Sequence, residues 1–383
     1  MAQQTPATEA AAESPAAANL LDLAFQAHAD MPLVPHVKNR SRGQHRVVEA
    51  ALALGMPERA IGYSEQIANW RRALGLADAS LHFARSGDPR AAALMTRAQE
   101  ALAASTGPDS QAWHRSRVLS RIAAARYLLG ETEAALEMGA GVSAEERLPL
   151  VEAEMATLDA ADFDSRIEGA LAVVGTGSFD LVHQALVACT RLHGRFYEDA
   201  ELRRRAAETV TGSWKGLPPM MRLELLLRLA EGAVEHGDGE GAVPYLDQAV
   251  DLRAAFQWRP NHFVALSAQI AELRARAGQS ERAGDEVAAA LEIFQSERDR
   301  IVDIDRADAL VPLAEAELAR GDRDGAARLY ALALEEGFHN PNSRPRLDDL
   351  TAILCSMATQ GFEPDEEMMK ELRIRAGSLG APW

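Results

Sequence analysis

The chain has 383 residues, 57 acids against 40 bases and a formal net charge of −17, a balance that excludes a protein built overall to wrap a nucleic-acid backbone. Alanine supplies 74 residues and aromatics only 5%, which disfavours sandwiches and barrels, while 47% apolar content excludes wholesale disorder. Cys189 and Cys355 lie too far apart for a zinc site or disulfide framework and read as buried thiols; with no leader-like segment and no apolar run of membrane-spanning length, a soluble, cytoplasmic protein is expected.

Residues 1–18 hold only small and polar side chains and read as a disordered leader. Residues 19–44 follow as an N-terminal helix from Leu20 and a link, with two prolines in Met31 to His36 marking a turn. From residue 45 a phrase recurs: GMPERA at Gly55, GDPRAA at Gly87, GETEAA at Gly130, GDGEGA at Gly237, GQSERA at Gly278 and GDRDGA at Gly321. An alanine sits five residues after each glycine, at Ala60, Ala92, Ala135, Ala242, Ala283 and Ala326. A small residue precedes most copies by seven, at Ser80, Ala123, Ala230, Ala271 and Ala314.

Such a phrase predicts a helical hairpin. The first helix ends on a glycine that accepts a left-handed turn, and the second starts within two or three residues, often with Asp, Pro or Glu in its first turn. Small residues at fixed places allow close approach, and one hairpin must stack on the next to bury its apolar face. The stretch 141–220 is degenerate, with turns placed through Ala161 and Gly194, and a last unit turns at Gly361. Links of turn-forming residues lie at 212–221 and 338–349, and a short tail at 377–383.

The pattern resembles the tetratricopeptide repeat family. Its small, glycine, alanine, apolar and alanine positions match Ala314, Gly321, Ala326, Tyr330 and Ala333, then Ala230, Gly237, Ala242, Leu246 and Ala249. The Gly278 copy matches with Ala271, Ala283, Val287 and Ala290. The family period is about 34, whereas glycine spacings here include 32, 41 and 43, so longer helices or links are expected. The resemblance implies an all-α, right-handed solenoid of eight or nine hairpins over residues 45–376, acting as a protein–protein interaction scaffold. It also implies that the inner face of each first helix meets an extended peptide. Six residues before each glycine this gives Glu231, Glu272 and Glu315, with Glu224 and Glu235 beside them. The family's clamp for a carboxyl-terminal peptide uses Lys, Arg and Asn there; carboxylates point instead to a basic or helical partner.

Nothing in the sequence carries catalytic or metal-binding spacing. The ten histidines are scattered, no HExxH or P-loop occurs, and neither catalysis nor a metal or other cofactor is expected. A pocket joining His183, Asp180 and Glu198 in the degenerate middle would favour an enzyme. Residues 31–72 carry seven bases, among them Arg40, Arg42, Arg46, Arg71 and Arg72, against three acids; residues 281–340 carry 15 acids and seven bases. Unlike ends allow a charged partner or end-to-end self-association, with nucleic-acid binding through the basic end as an alternative. Trp70 beside Arg71 and Arg72 is either a core-packing tryptophan or a partner anchor.

Overall fold

A computed structural model describes residues 14–105 and 111–383. Among these residues there are nineteen α-helices and no strand. The contacts between helices divide the chain into two units: a terminal unit, which joins the chain up to Thr157 to everything from Ala333 onward, and a central unit, Leu158–Leu332.

The terminal unit begins with α1 (Pro15–Asp30), α2 (Leu33–Ala53), α3 (Pro57–Glu65), α4 (Arg71–Arg85) and α5 (Arg90–Ala104). It continues with α6 (Ala112–Leu128), α7 (Thr132–Ala140) and α8 (Leu148–Ala156). The central unit holds α9 (Phe163–Thr176), α10 (Phe179–Arg195), α11 (Ala200–Ser213), α12 (Pro219–Glu235), α13 (Gly239–Ala254), α14 (Pro260–Arg276), α15 (Ser280–Ser296) and α16 (Asp303–Ala319). Then α17 (Arg323–Gly337) carries the chain back to the terminal unit, which ends with α18 (Ser343–Thr359) and α19 (Glu366–Gly377). Within each unit, first helices of successive hairpins lie side by side: α2, α4 and α6 in one, α10, α12, α14 and α16 in the other. This is an all-α tandem-hairpin architecture.

The recurrent glycine is the cause of the hairpin. At Gly55, Gly87, Gly130, Gly237, Gly278, Gly321 and Gly361 φ lies between +63° and +88°, a region where a Cβ would meet the following carbonyl. In each turn the residue after the glycine donates its N–H to the carbonyl five residues back, as from Asp238 to Ala233 at 3.0 Å and from Phe362 to Met357 at 2.8 Å. These bonds satisfy carbonyls that a helix end leaves orphaned. The next helix is then capped from within the turn: the Asp238 and Asp322 carboxylates accept from Gly241 N at 2.7 Å and Gly325 N at 2.8 Å.

The small positions follow the expected inward pattern, with Ser80, Ala123, Ala230, Ala271 and Ala314 fully buried, as are Ala60, Ala135, Ala242, Ala283 and Ala326. The Gly87 copy departs from it. There the helix starts three residues past the glycine, Ala91 is buried and Ala92 is exposed. Between α12, α13 and α14 the core is Leu223, Leu226, Leu246 and Ile270 around the contact of Ala230, Ala242 and Ala249.

Several boundaries differ from the sequence expectation. Helix α1 starts at Pro15, capped by Ser14 Oγ accepting from Ala16 N at 3.2 Å, so residues 15–18 are helical; residues 1–13 of the expected leader lie outside the described residues. Of the two-proline link only Met31 and Pro32 stand between α1 and α2; Leu33 to His36 belong to α2, with Val34 non-helical inside it. Gly194 is not a turn but belongs to the last turn of α10. The chain reverses instead at Phe196–Asp199, where Asp199 caps α11 by accepting from Glu201 N and Leu202 N. The segment 377–383 is not a free tail: Ser343 N donates to Pro382 O at 3.0 Å and Trp383 packs near Ala27, Met31 and Leu347.

That last contact belongs to a clasp between the chain's two ends. Helix α1 packs on α18 and α19, and α2 on α18. Leu20, Leu21 and Ala24 of α1 are fully buried, and the ring of His28 lies so close to Gly43 that a Cβ there would come within 1.9 Å of it. His28 Nε2 meets Thr351 Oγ1 at 2.8 Å, and Arg42 pairs with Asp348 at 2.9 Å. The basic N-terminal segment thus meets the C-terminal helices of its own chain.

Candidate interaction surface

The predicted inner-face carboxylates converge in part, in the central unit. Helices α12 and α14 run side by side and leave a groove of about 390 Å³ lined by Glu224, Leu227, Arg228, Glu231, Glu272 and Arg276, among others. The register explains this. Glu231 and Glu272 each follow the buried small residue of their helix, Ala230 and Ala271, by one position, which turns them toward the shared surface. Glu235 lies one helical turn beyond Glu231. Glu315, on α16, is not among the lining residues.

The groove is less acidic than the carboxylates alone suggest. Glu224 accepts from Arg228 at 2.9 Å and lies 3.2 Å from His183 Nε2, while Glu272 lies 3.5 Å from Arg276. Both Glu–Arg pairs have the i,i+4 spacing of helix-surface ion pairs and were readable in the sequence. Glu231 is exposed and makes no hydrogen bond or ion pair among the described residues. Its charge acts on its neighbours: burial and then Glu231 push the Glu235 carboxyl above the usual range. The Glu272 carboxyl is also raised, first by burial and then by Glu231, against the opposing pull of Arg276. Three carboxylates and two guanidiniums leave the groove net negative, and the raised Glu272 carboxyl gives up its charge at a higher pH than an ordinary glutamate does.

The N-terminal candidates do not form one free basic face. Arg40 donates to Met31 O at 3.0 Å, Arg42 is paired with Asp348, and Arg46 and Arg72 are exposed. Trp70 is only 3% exposed, which corrects its reading as a partner anchor. It stacks on His114 at 4.1 Å and meets the edge of Trp113 at 5.4 Å, inside the core formed by α4, α5 and α6. Arg71 lies over the Trp70 ring at 4.6 Å; burial, then Arg117 and Arg42, lower its pKa to about 10.

No protein-family model and no curated protein matches the chain. Among solved structures it is similar to a circular tandem repeat protein with novel repeat topology and enhanced subunit contact surfaces, at 16% identity over 96% of this chain and 95% of that one. The TM-score of 0.24 is too low for that likeness to inform the site.

In the degenerate middle His183 faces Glu224 across to α12, Asp180 lies one turn before it on α10, and Glu198 lies in the turn after α10. Among the described residues no group of three or more His, Cys, Asp or Glu could hold a metal ion. No described helix is long and apolar enough to cross a membrane. Cys189 and Cys355 are buried and unpaired with each other, and burial pushes each thiol up to about 12.

Proposed function

We propose that the chain is a tetratricopeptide-like interaction scaffold without a catalytic step, and that the groove between α12 and α14 receives a basic segment of a partner protein. Exposed, unpaired Glu231 beside two carboxyls already held above their usual range is the observation that carries this reading. A lysine or arginine brought there relieves repulsion among Glu231, Glu235 and Glu272, so the attraction is larger than that of a surface carboxylate already neutralised by its own arginine. Leu227 and Leu273 supply apolar floor, and the rows of helices hold the charges in place without an ordering cost.

The test is titration of the full chain with a lysine-rich peptide at low salt. Glu231→Lys should weaken binding about tenfold and Glu224→Gln much less, because Glu224 is already paired. Lowering the pH into the raised range of Glu272 should release the peptide before ordinary carboxylates titrate. Equal affinity of the Glu231→Lys chain and the unaltered one removes the groove assignment.

A further inference from the structure

Ion pairs along one face of the terminal unit leave a half-buried guanidinium without a counter-charge. Helices α18, α2, α4 and α6 lie side by side in that order, and bridges from one to the next show which side chains share the face. Arg42 of α2 pairs with Asp348 of α18 at 2.9 Å. His45 of α2 meets Asp78 of α4 at 2.9 Å, and Asp78 also takes Arg121 of α6 at 2.7 Å. Arg117 of α6 makes a two-bonded fork with Glu146, each bond 2.7 Å long. Asp348, Asp78 and Glu146 thus each have an arginine of their own. The remaining acid, Glu49, is exposed and lies 3.6 Å from His45, with Arg46 three residues before it on α2.

Arg71 has no such partner. It opens α4, and its side chain makes no hydrogen bond or ion pair among the described residues. Its guanidinium rests on the buried Trp70 ring at 4.6 Å, a weaker partner for a charge than a carboxylate. The neighbours that act on it are chiefly of its own sign: Arg117 and Arg42 disfavour its charge, and Glu49 alone opposes them. Arg117 is held over Trp113 at 5.2 Å, and the two indoles meet edge to face at 5.4 Å, so both guanidiniums are seated on one aromatic pair. A cation taken partly out of water and faced by like charges costs free energy until an anion completes it.

The donors still free select the anion. Arg42 spends one terminal nitrogen on Asp348, Arg117 spends Nε and Nη2 on Glu146 and keeps Nη1, and Arg71 keeps its whole fork. Neighbouring helix axes lie about 10 Å apart, so the arginines on either side reach toward a group bound on Arg71. A carboxylate brings one charge and two oxygens; a phosphomonoester brings nearly two charges and three oxygens, which suits forks arriving from three helices. The unmatched charges agree: Arg46, Arg71 and the exposed Arg344 of α18 stand against Glu49. A nucleic-acid backbone fits poorly, because carboxylates on α18, α2 and α4 interrupt the row. We propose that Arg71, flanked by Arg42 and Arg117, binds a phosphomonoester group, carried on a phosphorylated side chain or present as free phosphate. The site lies in the terminal unit and is of opposite sign to the Glu231 groove, so the two readings stand or fall independently.

The experiment titrates the full chain with inorganic phosphate, with a phosphoserine peptide, and with the same peptide carrying serine or glutamate at that position. Saturation by inorganic phosphate shows that the free ion suffices; saturation by the phosphoserine peptide alone assigns the group to a phosphorylated partner. Arg71→Gln should weaken the binding about tenfold, and Arg71→Lys nearly as much, since an ammonium keeps the charge and loses the fork. Arg72→Gln, one residue on and exposed, should change it less than about twofold. Glu49→Gln should tighten it about twofold by removing the carboxylate that opposes the ligand, a gain that damage to the fold does not produce. Glu231→Lys should leave it unchanged. The proposal is overturned if neither source of phosphate saturates, or if the serine or glutamate peptide binds as tightly as the phosphoserine peptide. It is equally overturned if Arg71→Gln and Arg72→Gln weaken binding alike.

Discussion

The terminal clasp and the central hairpins are built from the same helices by different means. At Gly237, Gly278 and Gly321 of the central unit the reversal is specified locally, by a glycine at φ between +73° and +88° and a small residue on either side, with a cap from the following aspartate at Gly237 and Gly321. In the terminal unit the clasp joins residues more than 300 positions apart, as His28 to Thr351 and Arg42 to Asp348. Local specification yields parts that tolerate change one hairpin at a time, since each contacts chiefly its neighbours. The clasp instead closes late in the chain and depends on the fit of a few buried groups. Acid should separate the two most strongly.

His28 is fully buried, and burial, then Arg42, Arg46 and Arg40, lower its pKa to about 3. Its Nδ1 has no hydrogen-bond partner, so the native state favours the neutral ring. In the unfolded chain the ring takes up a proton near pH 6.5. A folded pKa below the unfolded one means that stability is intact above about pH 6.5 and falls as pH drops toward about 3, by on the order of 5 kcal/mol if the whole window is realised. Urea titrations across that window should show the terminal unit failing first by hydrogen exchange. His28→Gln should flatten the dependence. His193, with its pKa lowered to about 4 by burial, Arg203 and His236, gives the central unit a similar but narrower sensitivity. A His28→Gln chain with an unchanged pH profile would remove His28 as the acid-labile group.

Steric fit should come next. At Gly43 a Cβ would come within 1.9 Å of the His28 ring, so Gly43→Val must displace the ring from Thr351 or part α1 from α2. A cost of about 3 kcal/mol is expected, at the upper end for overpacking. The loss should appear as weakened protection of α1 and α18, with α12 to α15 unaffected. Uniform loss of protection across both units would show that the clasp and the hairpins unfold together.

Glycines give a smaller effect with two signs. Gly278→Ala, at φ +81°, should destabilise by about 1 kcal/mol even though nothing lies within 4 Å of the added Cβ. Gly169→Ala, inside α9 and equally open, should stabilise by up to about 1 kcal/mol. Matched thermal melts of the two variants decide it, and a shift of the same sign in both would mean that space, not backbone conformation, governs these positions.

That sign difference also marks what was legible. The turn glycines and Ala230, Ala271 and Ala314 follow from spacing, because a left-handed turn and a close helix contact each demand a residue type at a fixed offset. The turn at Phe196–Asp199 escaped it because no glycine marks it. Tyr197 holds it instead, donating to Asp238 at 2.8 Å and stacking on His236, contacts made in the next hairpin. In the groove, the repeat register places Glu231 and Glu272, and the i,i+4 spacing of Arg228 from Glu224 and of Arg276 from Glu272 marks their pairing. The clasp was not legible, since the apolar stripe of α1 suits any facing helix and nothing local selects α18. Trp70 shows the same limit: its burial against His114 comes from α6, more than forty residues on.

The smallest effect concerns the ion pair between the two ends of the chain. Arg42 and Asp348 are 55% and 32% exposed, and burial raises the Asp348 carboxyl despite Arg42, Arg344 and Arg46. Desolvation therefore outweighs the attraction, and the pair adds little to the clasp. A double-mutant cycle with Arg42→Ala and Asp348→Asn should give a coupling below about 0.5 kcal/mol, falling further with salt. Asp348→Asn alone should be neutral or slightly stabilising at neutral pH, because a carboxyl whose folded pKa is raised costs stability above the unfolded value and none below it. The apolar seat of Leu20, Leu21 and Ala24 would then account for the closure, and the opposite charges at the two ends for little more than its register. A coupling above about 1 kcal/mol would reverse that order and return the unlike ends to the centre of the terminal unit's stability.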